Sequence, residues 1–183
     1  MFWPGTRNKY RVYTFPVAFE LINTLMPEVL AYVKDKPELR HRLFQIDYLA
    51  TQTGQATISL LYHRQLTDDW VAAADDMRSY LQAFGKVELI GRARKQNLLV
   101  NSDRVIETLL IQDKPFAFEQ IENSFTQPNA QVNEKMLEWA LAVTQESKGD
   151  LLELYCGNGN FSLPLAQNFN RVLGTEISRT SVM

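Results

Sequence analysis

Apolar residues recur at helical spacing from Phe19 through Ile22, Leu25, Met26, Val29, Leu30 and Val33, which predicts a helix there. Pro27 falls inside this stretch. It lacks the N–H that a helix ladder needs, so a kink or a fresh helix start is expected at it, and Pro37 ends the region. Residues 44–49 alternate between apolar and polar, as a half-buried strand does. Gly54, within 51–55, reads as a hairpin turn and 56–63 as the return strand. Thr67, followed by Asp68 and Asp69, predicts a helix start. Trp70, Ala73, Met77, Leu81 and Phe84 share one face of that helix, with Gly85 as its stop. From Val87 to Ile121 the apolar runs are short and are divided by Gly91, Asn101 and Asp113, which predicts hairpins.

A polar turn follows at 123–129. Val132, Met136, Trp139, Ala140 and Val143 then mark the apolar face of another helix, closed at Lys148 and Gly149. Residues 150–155 read as a short strand, 156–160 as a Gly-bearing loop and 161–169 as a short helix. A second strand at 171–174 leads to Glu176. Periodicity and composition change near 125, so two domains are expected: α+β over 1–124 and β-α-β over 125–183. Two parallel strands are few for a sheet, and an exposed apolar face is expected there.

Composition narrows the class. The chain has 183 residues, 45% of them hydrophobic and 22% charged, which is globular and not disordered. No apolar run approaches the roughly 20 residues that span a bilayer. The first residues lack the basic start and apolar core of a secretory leader. One cysteine, Cys156, and two histidines exclude a disulfide framework or a cysteine-built metal cluster within the chain, and a reducing cytoplasm is the expected compartment. Net charge is −2, so the chain is not basic overall. Positive charge is nevertheless gathered locally, at Lys34, Lys36, Arg40, His41 and Arg42 and again at Arg92, Arg94, Lys95 and Arg104. Such clusters suit phosphate contacts when they share a face.

The most informative segment is 150–161, Asp-Leu-Leu-Glu-Leu-Tyr-Cys-Gly-Asn-Gly-Asn-Phe. A G-x-G loop between strand and helix lets a ligand approach the backbone, and a helix start offers N–H groups. Glu176 follows Gly157 at the end of the next strand, where a carboxylate can accept both hydroxyls of a ribose. The third glycine of a dinucleotide fingerprint is replaced by Ser162, and Glu153 precedes the loop. The pattern therefore points to a nucleoside cofactor, with S-adenosylmethionine (SAM) ahead of a dinucleotide and its hydride chemistry.

Residues 153–161, together with Phe125-Thr-Gln-Pro-Asn129 a short helix upstream, resemble the SAM loop of the uracil-5 RNA methyltransferases. The segments Phe15-Pro16, Glu20–Asn23, Leu43–Leu49 and Leu60–His63 resemble the family's tRNA branch. The ribosomal-RNA branch commonly carries an OB-type domain and an iron–sulfur cysteine cluster, and neither pattern occurs here. The resemblance implies an α+β RNA-binding domain followed by the start of a Rossmann-like class I SAM domain, truncated. It implies methylation of carbon 5 of a uridine in the tRNA T-loop. For SAM it implies contacts from Gln127, Tyr155 and Asn160, backbone space from Gly157 and Gly159, and ribose binding by Glu176. For RNA it raises Phe44 and His63, beside Arg40 and Arg42, as contacts to an unstacked T-arm. The family's nucleophilic cysteine, base glutamate and later cofactor aspartate are expected beyond Met183. Cys156 matches the loop cysteine instead, so no catalytic residue is expected in this chain. The alternative is a non-catalytic RNA-binding fragment.

Overall fold

The computed structural model describes residues 5–8 and 12–178. Met1–Pro4, read above for a leader, lie outside the described residues. The chain forms helices α1 (Glu20–Lys34), α2 (Pro37–Arg40), α3 (Asp68–Leu81), α4 (Ala130–Val143) and α5 (Ser162–Leu165), the last continued by a 3₁₀ turn at Ala166–Asn168. Its strands are β1 (Leu43–Ala50), β2 (Gln55–Tyr62), β3 (Lys86–Ala93), β4 (Gln96–Leu99), β5 (Arg104–Ile111), β6 (Lys114–Ile121), β7 (Leu151–Leu154) and β8 (Val172–Thr175). Among the described residues no helix is long and apolar enough to cross a membrane.

Two compact units result. The first holds residues up to Ala50 and Gly54–Asp103; the second holds Thr51–Thr53 and the residues from Arg104 on. The sequence-based boundary at 124/125 falls inside the second unit, where the β5–β6 hairpin packs with α4.

The first unit is a four-stranded sheet in the order β1-β2-β3-β4. β2 pairs antiparallel with β1 and parallel with β3, the α3 crossover joining the parallel pair. Ala56 through Leu60 are consecutively buried, as a central strand covered on both faces requires. Leu25 and Val29 of α1, Trp70 and Met77 of α3, and Ile58 and Leu89 of the sheet share the core. The buried carboxylate Glu88 is paired: Arg78 Nε donates to it at 3.0 Å and Asn101 Nδ2 at 3.1 Å.

Two local expectations are corrected. α1 runs unbroken through Pro27. The residue whose carbonyl loses its partner there, Asn23, lies one turn upstream, and its side chain instead ties Phe15 to the helix start, accepting from Phe15 N at 2.6 Å and donating to Phe15 O at 3.0 Å. α3 ends at Leu81, ahead of Gly85. Gln82 closes it, Nε2 donating to Val87 O at 2.7 Å. Gly85 is required for a different reason, since a Cβ there would stand 2.8 Å from Gly54 O.

The second unit contains the hairpin β5–β6, the helix α4 and the parallel pair β7–β8. Asn129 caps α4, its Oδ1 accepting from Val132 N at 3.0 Å. The face of α4 read as inward is a correction. Of its five residues Val132, Met136, Trp139 and Val143 are exposed and Ala140 is buried, alongside Ala130, Asn133, Leu137 and Leu141. Leu152, Leu154 and Leu173 of β7–β8 are exposed as well.

Candidate functional site

β7 delivers the chain into a turn that ordinary residues resist. Tyr155, Gly157 and Gly159 all have positive φ, at 58°, 56° and 81°. Glycine takes such angles without steric cost, and at Gly157 no atom lies near an added Cβ, so the backbone is open to an approaching ligand. The N–H groups expected to be free at the following helix are already engaged, which corrects that reading. Ser162 N donates to Glu153 Oε2 at 2.7 Å, and the Ser162 hydroxyl also donates to that oxygen. Leu163 N donates to Gly159 O at 3.0 Å. Glu153 thus staples the loop to its strand.

Glu176 performs the same service from β8. Its Oε2 accepts from Gly157 N at 2.9 Å and its Oε1 from Ser178 N at 2.7 Å. These backbone donors, Ser178 first, hold its carboxyl below the ordinary carboxylate range. It is therefore charged, and fixed at the end of β8.

Gln127, Tyr155, Gly157 and Asn160 border one cavity that is partly open to solvent. Asn160 is fixed by a reciprocal amide pair with buried Asn133, at 2.8 and 2.9 Å. Tyr155 is 82% exposed at the cavity's edge. Gly159 borders the adjoining hollow with Gly157 and Asn158. Glu176 is tied to this loop through Gly157 and does not line the cavity itself.

Two cavity residues escaped the sequence reading. Glu107 on β5 and Gln120 on β6 are both buried and border the same space. The signal was present: Val105, Glu107, Leu109 and Ile111 alternate inward, and a carboxylate interrupts that apolar series. Burial pushes the Glu107 carboxyl up, against the opposing pull of the Gln52 and Thr108 N–H groups.

Cys156 lies within this loop and borders the cavity. A Cβ added at Gly174 would stand 2.8 Å from its Sγ, so the sulfur rests against the β8 backbone. Burial first, then the Glu153 and Glu176 carboxylates, push its thiol up. A thiol shifted in this direction yields less thiolate than a free one. Among the described residues no group of three His, Cys, Asp or Glu side chains is placed to hold a metal ion.

The other candidates lie in the first unit. Phe44 and His63 stack with ring centroids 3.9 Å apart and planes 10° from parallel. Both are solvent-exposed, although Phe44 at 51% could have been a core side chain. The β1–β2 ladder shifts register between Leu43 and Gln45, which displaces Phe44 from regular pairing. Arg42 adjoins the pair, its N–H1 group donating to His63 O at 3.4 Å. Arg40 donates to Lys34 O at 2.8 Å and closes the end of α1.

Comparison with known proteins agrees in one direction. The family model described as tRNA (Uracil-5-)-methyltransferase matches residues 1–183. A Vibrio cholerae protein named tRNA/tmRNA (uracil-C(5))-methyltransferase is 57% identical over 183 residues, covering 100% of this chain and 50% of its own length. A Colwellia psychrerythraea protein of the same name is 54% identical over 182 residues, again with 50% of its length covered. The chain thus spans about half the length of the curated relatives it matches. Among solved structures, a Pyrococcus abyssi tRNA (uracil-54, C5)-methyltransferase in complex with S-adenosyl-L-homocysteine superposes with a TM-score of 0.57 at 15% identity. That match covers 85% of this chain and 41% of the other. At that identity the superposition speaks for the fold, an α/β architecture shared with a methyltransferase. With the family model matching from end to end and relatives above half identity, the chain belongs to the tRNA (uracil-5-)-methyltransferase family.

Proposed function

We propose that this chain carries the RNA-contacting part and the first half of the SAM site of an enzyme that methylates carbon 5 of a uridine in the tRNA T-arm, in the cytoplasm. The observation that carries the reading is the convergence of Gln127, Tyr155, Gly157 and Asn160 on one cavity, with Glu176 bonded to its glycine loop. SAM, when bound, supplies an electrophilic methyl group. The chain's own contribution is to hold it: Glu176 toward the ribose hydroxyls, and Gln127 and Asn160 toward polar groups in the cavity. The cavity suits such a ligand, because its walls offer amides and carboxylates, and one of those amide oxygens, on Gln120, is buried without a partner.

In this reading the first unit is the RNA-binding and central domain, and the β5–β6 hairpin joins 125–183 in the beginning of the SAM domain. The exposed side chains of α4 and β7–β8 then belong to surfaces that the other half of a full-length relative would cover. Methyl transfer needs a thiolate that adds to carbon 6 of uracil and a base that removes the carbon 5 proton. Cys156 rests its sulfur against the β8 backbone, and its thiol is pushed up by burial and by the Glu153 and Glu176 carboxylates. The 183-residue chain alone is therefore expected to bind without methylating.

The RNA arm is tested with a T-arm hairpin RNA. An exposed ring stack such as Phe44–His63 offers a platform for an unstacked base, worth about 1–3 kcal/mol per base. Phe44→Ala is expected to weaken hairpin binding about tenfold in a fluorescence-anisotropy titration. Arg42→Ala is expected to flatten the salt dependence as a phosphate contact is lost. Unchanged affinity in Phe44→Ala would remove the ring stack from the RNA surface.

A further inference from the structure

The inward face of the β5–β6 hairpin is apolar at Val105, Leu109, Ile111 and Phe118 and polar at Glu107 and Gln120. Glu107 is provided for: its carboxylate accepts from Gln52 N at 3.2 Å and from Thr108 N at 3.1 Å. Gln120 is not. It is 8% exposed, and its Oε1 is shut from solvent with no hydrogen-bond partner. A buried acceptor left unpaired costs folding stability, so a function is the natural reason to keep one. The last torsion of a glutamine side chain is soft, and the amide can turn its oxygen to the cavity it borders without leaving its rotamer.

The charge around this amide selects the group that would meet it. Glu107 and Glu153 border the cavity, and no lysine or arginine does. A cavity walled by carboxylates and apolar rings favours a cation. A group that both donates a hydrogen and carries positive charge answers the unpaired acceptor and the carboxylates together. Within SAM the sulfonium is cationic but has no hydrogen to donate. The adenine amino group and the ribose hydroxyls donate but are neutral. The α-ammonium does both.

We infer that Gln120 is a further ligand-positioning residue, whose side-chain oxygen receives a hydrogen bond from the α-ammonium group of SAM; this rests on the reading of that cavity as the cofactor site. Gln120→Met keeps the length of the side chain and removes both polar atoms. Two measurements on the 183-residue chain decide the matter. The first is the melting temperature without ligand. It rises by a few degrees if the amide is held in reserve, because an unpaired buried acceptor is gone, and it falls if Gln120 is a structural residue, which overturns the inference.

The second is binding, by calorimetry, of S-adenosylhomocysteine and 5′-methylthioadenosine. These share the nucleoside and the thioether and differ in the amino-acid group. Gln120→Met is expected to weaken S-adenosylhomocysteine about tenfold, as for a hydrogen bond to a charged group, and to leave methylthioadenosine within about twofold. An equal loss for both ligands, or no loss for either, overturns the inference while the cavity reading stands. A wild-type chain that binds SAM and its analogues nowhere overturns the cavity reading itself, and the role of Gln120 with it.

Discussion

Replacing Trp70 with alanine is expected to destabilise the first unit by about 3–5 kcal/mol. The indole is fully buried in α3, edge-on to Tyr62 at 6.0 Å between centroids. The sheet is shaped around it: a Cβ at Gly91 would stand 2.3 Å from the ring, so the strand next to α3 carries the one residue type that admits the indole. Deleting the ring therefore leaves a hole that Gly91 cannot fill, and Leu66, which also borders that spot, is itself buried and constrained. Domains of this size hold about 5–15 kcal/mol in all, so the loss is a large fraction. Urea unfolding followed by far-UV circular dichroism measures it. A loss under about 1 kcal/mol would mean that the core collapses around the gap and that the packing described for α3 does not dominate the unit.

Glu176→Ala is expected to weaken SAM binding about a hundredfold. Two hydrogen bonds to a charged carboxylate would be lost, with part of that loss recovered by water. The structure adds a second route to the same loss. Glu176 accepts from Gly157 N and so braces the glycine loop, which the alanine variant would release. The two routes separate by ligand. Binding of the nucleoside adenosine isolates the ribose contact, and 2′-deoxyadenosine lacks one of its hydroxyls. If the carboxylate grips the ribose, the wild-type chain discriminates between the two and Glu176→Ala does not. If it only braces the loop, both proteins discriminate equally. Calorimetry on the 183-residue chain provides both comparisons.

Much of this arrangement was legible in the sequence because it is local. The loop 155–159 announces itself by glycines where φ is positive, and Glu176 by its distance from them along a β-α-β path that permits little variation. Asn129 is a helix cap by residue type, and the structure uses it as one. What was missed depends on partners distant in sequence. Val132, Met136, Trp139 and Val143 have flawless helical spacing, yet α4 turns Ala130, Leu137 and Leu141 inward, because the hairpin packs on that side. Periodicity locates an apolar stripe and cannot say which of two stripes finds a partner.

The parallel pairing of β2 with β3 was hidden for the same reason. A strand–helix–strand path and a run of hairpins share their short apolar segments, and only the register across the α3 crossover separates them. Glu107 and Gln120 required noticing polar residues in an inward series, a signal visible only once the alternation of β5 and β6 is fixed. Phe44 and His63 were found as residues, but their ring stack depends on the register shift after Leu43, which no spacing rule displays.

The central claim is that this chain's second unit holds the first half of a SAM site. Hydrogen–deuterium exchange of the 183-residue chain, with and without saturating SAM and with NAD as a parallel ligand, tests it most directly. The account predicts that SAM slows exchange across 155–162 and around Gln127, leaves the strands of the first unit unchanged, and that NAD produces no protection. Protection by NAD in the glycine loop, or no protection by SAM anywhere in the second unit, would contradict it.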